Sequence, residues 1–71
     1  MRWMIYGANG YTGELIARQA VSDGLRPILA GRTGREIHRL GDELDCETSI
    51  FALSREAAIK ALRDVDLVLH C

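Results

Sequence analysis

The residues with the clearest chemical capacity lie near the N-terminus, in Gly7-Ala8-Asn9-Gly10-Tyr11-Thr12-Gly13. The three glycines fall in a GxxGxxG spacing, and each has its own physical use. Gly7 lets the chain turn sharply. Gly10 has no Cβ, so backbone can come close to a pyrophosphate. Gly13 lets a following helix pack tightly against a sheet. Amides near Tyr11 and Thr12 would open that helix without intrahelical acceptors, and the helix dipole would favour an anion beside them. Asn9 tolerates left-handed backbone better than most residues, which suits a tight turn. A glycine triplet alone is weak evidence; the elements on either side decide its meaning.

A second stretch carries charge: Gly31-Arg32-Thr33-Gly34-Arg35. A site for NAD usually offers Asp or Glu here to the ribose 2′-hydroxyl. This chain has no carboxylate before Glu36. Thr33 and Glu36 have the spacing of a capping box, which would engage that carboxylate at a helix start. A guanidinium binds a 2′-phosphate well, so Arg32, with Thr33, points to NADP rather than NAD. Arg35 is a weaker candidate and is expected to face solvent.

These two stretches need strands before them and helices after them, and the pattern supplies both. Trp3 to Tyr6 is a short apolar run that stops at Gly7. Tyr11, Leu15, Ile16, Ala20 and Val21 recur at helical spacing up to Ser22, and Gly24 ends that helix. Pro27 to Ala30 is a second strand. Ile37, Leu40 and Leu44 form a second helical stripe, which Gly41 should weaken by up to about 1 kcal/mol relative to Ala. Thr48 to Phe51 reads as a third, more polar strand. Ser54 can cap a third helix whose apolar face is Ala58, Ile59, Ala61 and Leu62. Leu67 to Leu69 is the most hydrophobic strand.

The order β-α-β-α-β-α-β predicts an α/β fold with a parallel sheet and crossover helices. The most apolar strands, the first and fourth, should be central and covered on both faces. The polar third strand suits an edge. A strand order of 3-2-1-4 meets these conditions and is how a Rossmann-type nucleotide-binding sheet begins. Residues 1–71 then form one partial domain, expected to be the N-terminal fragment of a larger doubly wound domain, with no second domain in the chain.

Composition narrows the partners. The chain has 71 residues, 48% hydrophobic, and a formal net charge of -1. That balance argues against nucleic acid or an anionic membrane held by bulk electrostatics. No stretch approaches the roughly 20 apolar residues of a membrane span, and the N-terminus is no signal peptide. Cys46 and Cys71 are expected to be reduced thiols, one per strand, in a cytoplasmic protein. No metal-ligand spacing is present; His38 and His70 stand alone.

The stretch Met4-Ile5-Tyr6-Gly7-Ala8-Asn9-Gly10-Tyr11-Thr12-Gly13, followed by Leu25-Arg26-Pro27-Ile28-Leu29-Ala30-Gly31-Arg32, resembles the N-terminus of the saccharopine dehydrogenase-like reductases. It is nearest to the branch of trans-acting enoyl reductases. Val65 to Cys71 looks like that family's fourth strand. The resemblance implies the NADP(H)-binding part of an oxidoreductase. The cofactor would be held by Gly7, Asn9, Gly10, Tyr11, Thr12 and Gly13 at the pyrophosphate, and by Arg32 and Thr33 at the adenosine ribose. Related reductases often carry an acidic residue after the third strand. Here Phe51-Ala52-Leu53 stands there, so Leu53 would pack on the adenine instead.

No catalytic side chain is expected in this chain. The substrate, a small molecule, would be bound by a domain outside it, and hydride chemistry would come from the cofactor. His70 is expected to be structural. The alternatives are a non-catalytic NADP(H)-binding or sensor module and an extended short-chain dehydrogenase/reductase-type domain. A flavodoxin-like receiver is disfavoured, because Gly7, Gly31 and Ala52 stand where acidic Mg²⁺ ligands would be needed. A hydrophobic fourth strand without a neighbour would leave the isolated chain marginal or prone to form a homo-oligomer.

Overall fold

A computed structural model describes residues 1–71. The elements follow in the expected order: β1 (Trp3–Tyr6), α1 (Tyr11–Ser22), β2 (Ile28–Gly31), α2 (Gly34–Leu44), β3 (Thr48–Ile50), α3 (Arg55–Ala61) and β4 (Leu67–His70). The four strands form one parallel sheet in the order β3-β2-β1-β4. Met4 aligns with Ile28 on one side and with Val68 on the other. This is a Rossmann-like arrangement, in which the chain leaves β1 toward β2 and later returns to β1's opposite edge.

Alternation along the strands builds two cores. Ile5 and Leu29 face Ala8, Ala17, Ile37 and Leu40, beneath α1 and α2. Met4, Tyr6, Ile28 and Ala30 point the other way, toward Phe51, Leu62 and Val65. Side chains on a strand alternate faces, so a central strand must be apolar at every position to fill both layers. β1 and β2 meet that demand.

Helix ends follow local chemistry. After α1, Gly24 adopts φ +86°. Its amide donates to the Val21 carbonyl at 3.0 Å, and the Leu25 amide donates to the Ala20 carbonyl at 2.9 Å. This paired closure satisfies carbonyls that the helix leaves open. α2 ends on Asp45 in left-handed backbone, φ 56°. α3 starts where the Ser54 hydroxyl accepts from the Ala57 amide at 3.2 Å.

Five expectations need correction. Thr33 precedes α2, but its side chain makes no capping hydrogen bond. The capping box does not form, because the Glu36 carboxylate accepts instead from Asn9 Nδ2 at 2.8 Å. Asn9 is not left-handed; among non-glycine residues only Asp45 has positive φ. β4 is neither central nor covered: it pairs only with β1, and Leu67 and Leu69 are 53% and 40% exposed. Its composition is that of a covered strand, yet no element of the chain packs over it. Ile59 does not join the α3 apolar face and is exposed, because the seven-residue helix turns only Ala57, Ala58 and Ala61 partly inward. Neither cysteine lies in a strand: Cys46 precedes β3 and Cys71 follows β4.

Gly41 has a packing role that composition hides. A Cβ there would lie 2.3 Å from Thr48 Cγ2 and 3.0 Å from the Cys46 carbonyl oxygen. Close approach of α2 to β3 therefore requires glycine, despite its poor helix propensity.

Exposed ion pairs join elements at the surface. Arg18 on α1 donates to Glu43 on α2 at 2.7 Å and to Glu14 at 2.9 Å. The hydrogen bond from Arg18, and then its charge, hold the Glu43 carboxyl below the usual carboxylate range. Arg2 grips Glu47 through two bonds of 2.9 and 3.0 Å and lowers that carboxyl likewise. No helix is long and apolar enough to cross a membrane.

Two outcomes follow from this packing. Gly41→Ala should lose up to about 2 kcal/mol in urea unfolding, since about 1–3 kcal/mol of overpacking is offset by a gain of about 1 kcal/mol in helix propensity. Thr48→Ser should recover part of that loss in the double variant, and additive losses would contradict the contact. A carboxyl held low in the folded state stabilises above the usual carboxylate range and stops doing so as pH falls through that range. Stability should therefore drop more between pH 7 and acid in the wild type than in Arg18→Gln, as measured by thermal unfolding at each pH.

Candidate functional site

The C-terminal ends of β1 and β2 open onto a shallow groove of about 240 Å³, lined by Tyr6, Gly7, Asn9, Gly10, Gly31, Arg32, Thr33 and Cys71. This end of a parallel sheet, beside the strand where connections diverge to opposite sides, is where open α/β folds place ligands. The amides of Gly7 and Ala8 both donate to the Ala30 carbonyl, at 2.8 and 3.2 Å, which fastens the turn to the end of β2. The Cys71 amide donates to the Tyr6 carbonyl at 3.0 Å and fastens the end of β4 to the same place.

Two glycines make this crossing feasible. Gly7 has φ +88°, and a Cβ there would sit 2.7 Å from the Cys71 carbonyl oxygen. Gly13 lies under the turn, where a Cβ would come 2.2 Å from the Gly7 carbonyl oxygen and 2.9 Å from Ala8 Cα. The first turn of α1 is thus pressed against the loop. Gly10 differs: its backbone is ordinary extended, φ -78° and ψ 167°, and a Cβ there would meet only the Gly7 carbonyl oxygen, at 3.3 Å, so the fold demands glycine less here than at Gly7 or Gly13. Its amide donates to the Gly7 carbonyl at 3.0 Å, and its carbonyl accepts from Glu14 at 2.8 Å. The amides of Tyr11, Thr12 and Gly13 donate to no carbonyl or side chain of the chain. They are the open donors of a helix start.

Arg32 also borders a second groove of about 460 Å³, with Tyr6, Ala52, Leu53, Ser54 and His70. Its guanidinium is exposed and enters no ion pair, unlike those of Arg2, Arg18 and Arg39. Leu53, 57% exposed, offers an apolar surface beside it. Thr33 is exposed, and its hydroxyl caps no helix amide. Arg35 is exposed and lines neither groove.

The sequence-predicted residues are therefore gathered only in part. Gly7, Asn9, Gly10, Arg32 and Thr33 share one groove, and Leu53 shares the next with Arg32. The side chains of Tyr11 and Thr12 are exposed, and Tyr11 lies instead beside Glu14, Leu15 and Arg18. Only the backbone of this pair can serve the groove. Gly13 acts from beneath.

Sequence reasoning missed Tyr6, Gly31 and Glu36. Tyr6 is buried; its hydroxyl donates to the Phe51 carbonyl at 2.7 Å, and its ring lies 4.9 Å from Phe51 and 5.6 Å from His70. It fixes the β3–α3 loop that carries Leu53. His70 meets Tyr6 edge-on and is exposed. A Cβ on Gly31 would stand 3.0 Å from Asn9 Oδ1, so a small residue at the end of β2 was the available signal. Glu36 had none, since its spacing from Thr33 suggested a cap.

The arrangement can hold a ligand that carries phosphate at the open amides and a further anionic group at Arg32. Compared with protein-family models, curated proteins and solved structures, the chain matches none.

The first two glycines of the turn separate structure from binding. Gly7→Ala should destabilise the fold by about 1–3 kcal/mol, from left-handed strain and the crowded Cys71 carbonyl. Gly10→Ala should stay within about 1 kcal/mol of wild type in the same denaturant titration. Equal losses for the two would show that the turn is not built as described.

Proposed function

We propose that the chain is the cofactor-binding part of an NADP-dependent oxidoreductase. The observation that carries this reading is the sharing of one groove by the Gly7–Gly10 turn and the unpaired Arg32. Phosphate linking two nucleosides would sit over Gly10, against the open amides of α1 and its positive end. The 2′-phosphate would meet the Arg32 guanidinium and the Thr33 hydroxyl. Adenine would rest on Leu53 in the adjoining groove. The bound nicotinamide would supply the hydride, and this chain would hold and orient it. No side chain here is assigned to proton transfer. The resemblance to the saccharopine dehydrogenase-like reductases, carried by the same residues, supports the reading. A non-catalytic NADP(H)-binding module would use the same groove.

Calorimetry with the full 71-residue chain tests this. NADPH should bind more tightly than NADH, and Arg32→Glu should cancel or reverse that order, with a loss of about tenfold or more for NADPH. Gly10→Val should abolish binding of both while leaving the protein folded. NADPH should also slow alkylation of Cys71, which borders the groove. Cys46 serves as the internal control, since burial pushes its thiol up and it lines neither groove. Unchanged binding in Gly10→Val, or equal affinities untouched by Arg32→Glu, would overturn the assignment.

A further inference from the structure

Glu36 is the unexpected neighbour of this groove. Its carboxylate accepts from Asn9 Nδ2 at 2.8 Å, across 27 positions of sequence. Asn9 lines the groove together with Arg32 and Thr33, and its Oδ1 is packed over Gly31. The bond therefore clasps the start of α2 to the glycine turn. It fixes one negative charge beside Asn9, whose side chain shares the groove wall with Arg32 and Thr33. Both partners are exposed or half-exposed, so an incoming ligand can reach them.

The geometry points to Glu36 as a specificity-determining residue that works against Arg32. This inference rests on the dinucleotide reading of the groove and extends it. Arg32 attracts a 2′-phosphate, and Glu36 repels it. A free 2′-hydroxyl meets the opposite balance: it gains little from Arg32 and can donate to a carboxylate. The two side chains together set a modest preference for NADP(H), where Arg32 alone would set a steep one. Asn9 is then a positioning residue, since it fixes where the charge stands.

Glu36→Gln isolates the charge, because the Gln carbonyl can still accept from Asn9 and keep the clasp. The measurement is the ratio of NADPH to NADH dissociation constants for wild type and variant. In the variant, NADPH should bind about three- to tenfold more tightly, the scale of a like-charge contact in a solvated groove. NADH should bind unchanged or a few-fold more weakly. The shift in the ratio should shrink as salt rises from about 0.05 M to about 0.5 M, which a purely structural role would not produce. 2′,5′-ADP against 5′-AMP should reproduce it without the nicotinamide half. A ratio unmoved by Glu36→Gln, with both cofactors still binding, overturns this inference alone. Failure of the wild type to bind either cofactor overturns it together with the dinucleotide reading.

Discussion

The structure depends on one crowded contact: the first turn of α1 pressed against the carbonyl of Gly7. No side chain fits between them, as the 2.2 Å separation at a Gly13 Cβ makes plain. From this contact the rest follows. α1 lies low on the sheet, so Ala8 and Ala17 suffice to fill its share of the core. The loop is compressed against the ends of β2 and β4: the Ala30 carbonyl takes the amides of Gly7 and Ala8, and the Tyr6 carbonyl takes that of Cys71. The amides that remain open are those of the helix start, and they face the groove's end of the sheet. Tight packing and a row of open helix-start amides are thus two results of one steric condition.

Charge is distributed with the same economy. Arg2 and Arg18 are committed to carboxylates and tie strands and helices together. Arg32 has no such partner, and it stands where two grooves meet. Surface ion pairs stabilise little, so the paired arginines matter less for stability than for keeping their positions defined. Arg26, Arg35, Arg55 and Arg63 are in no ion pair either, but of these unpaired arginines Arg32 alone lines the two grooves.

Much of this was legible in the residues. Periodicity placed α1 at its observed limits, alternation of elements predicted a parallel sheet, and the order followed from the polar third strand together with the Rossmann pattern. The glycine turn was legible because its demands are local. What escaped were effects of tertiary neighbours. Thr33 and Glu36 have the spacing of a local cap, but Asn9, far away in sequence, donates to the Glu36 carboxylate in place of the Thr33 backbone amide. Gly41 scored as a weak helix residue because Thr48 was invisible to propensity. β4 was read as central from its hydrophobicity, which records what a strand can bury and not what lies over it.

Tyr6 acts as a fixed ruler between the two grooves. It borders both, its ring is enclosed by Met4's core layer, and its hydroxyl is tied to the Phe51 carbonyl. The distance between the glycine turn and the Leu53 surface is therefore set by a core residue and not by a mobile loop. A ligand that touches both must match that spacing as it stands. On the proposed reading, recognition would test length before charge, and little ordering of the protein would remain to be done when a molecule of the right length arrives.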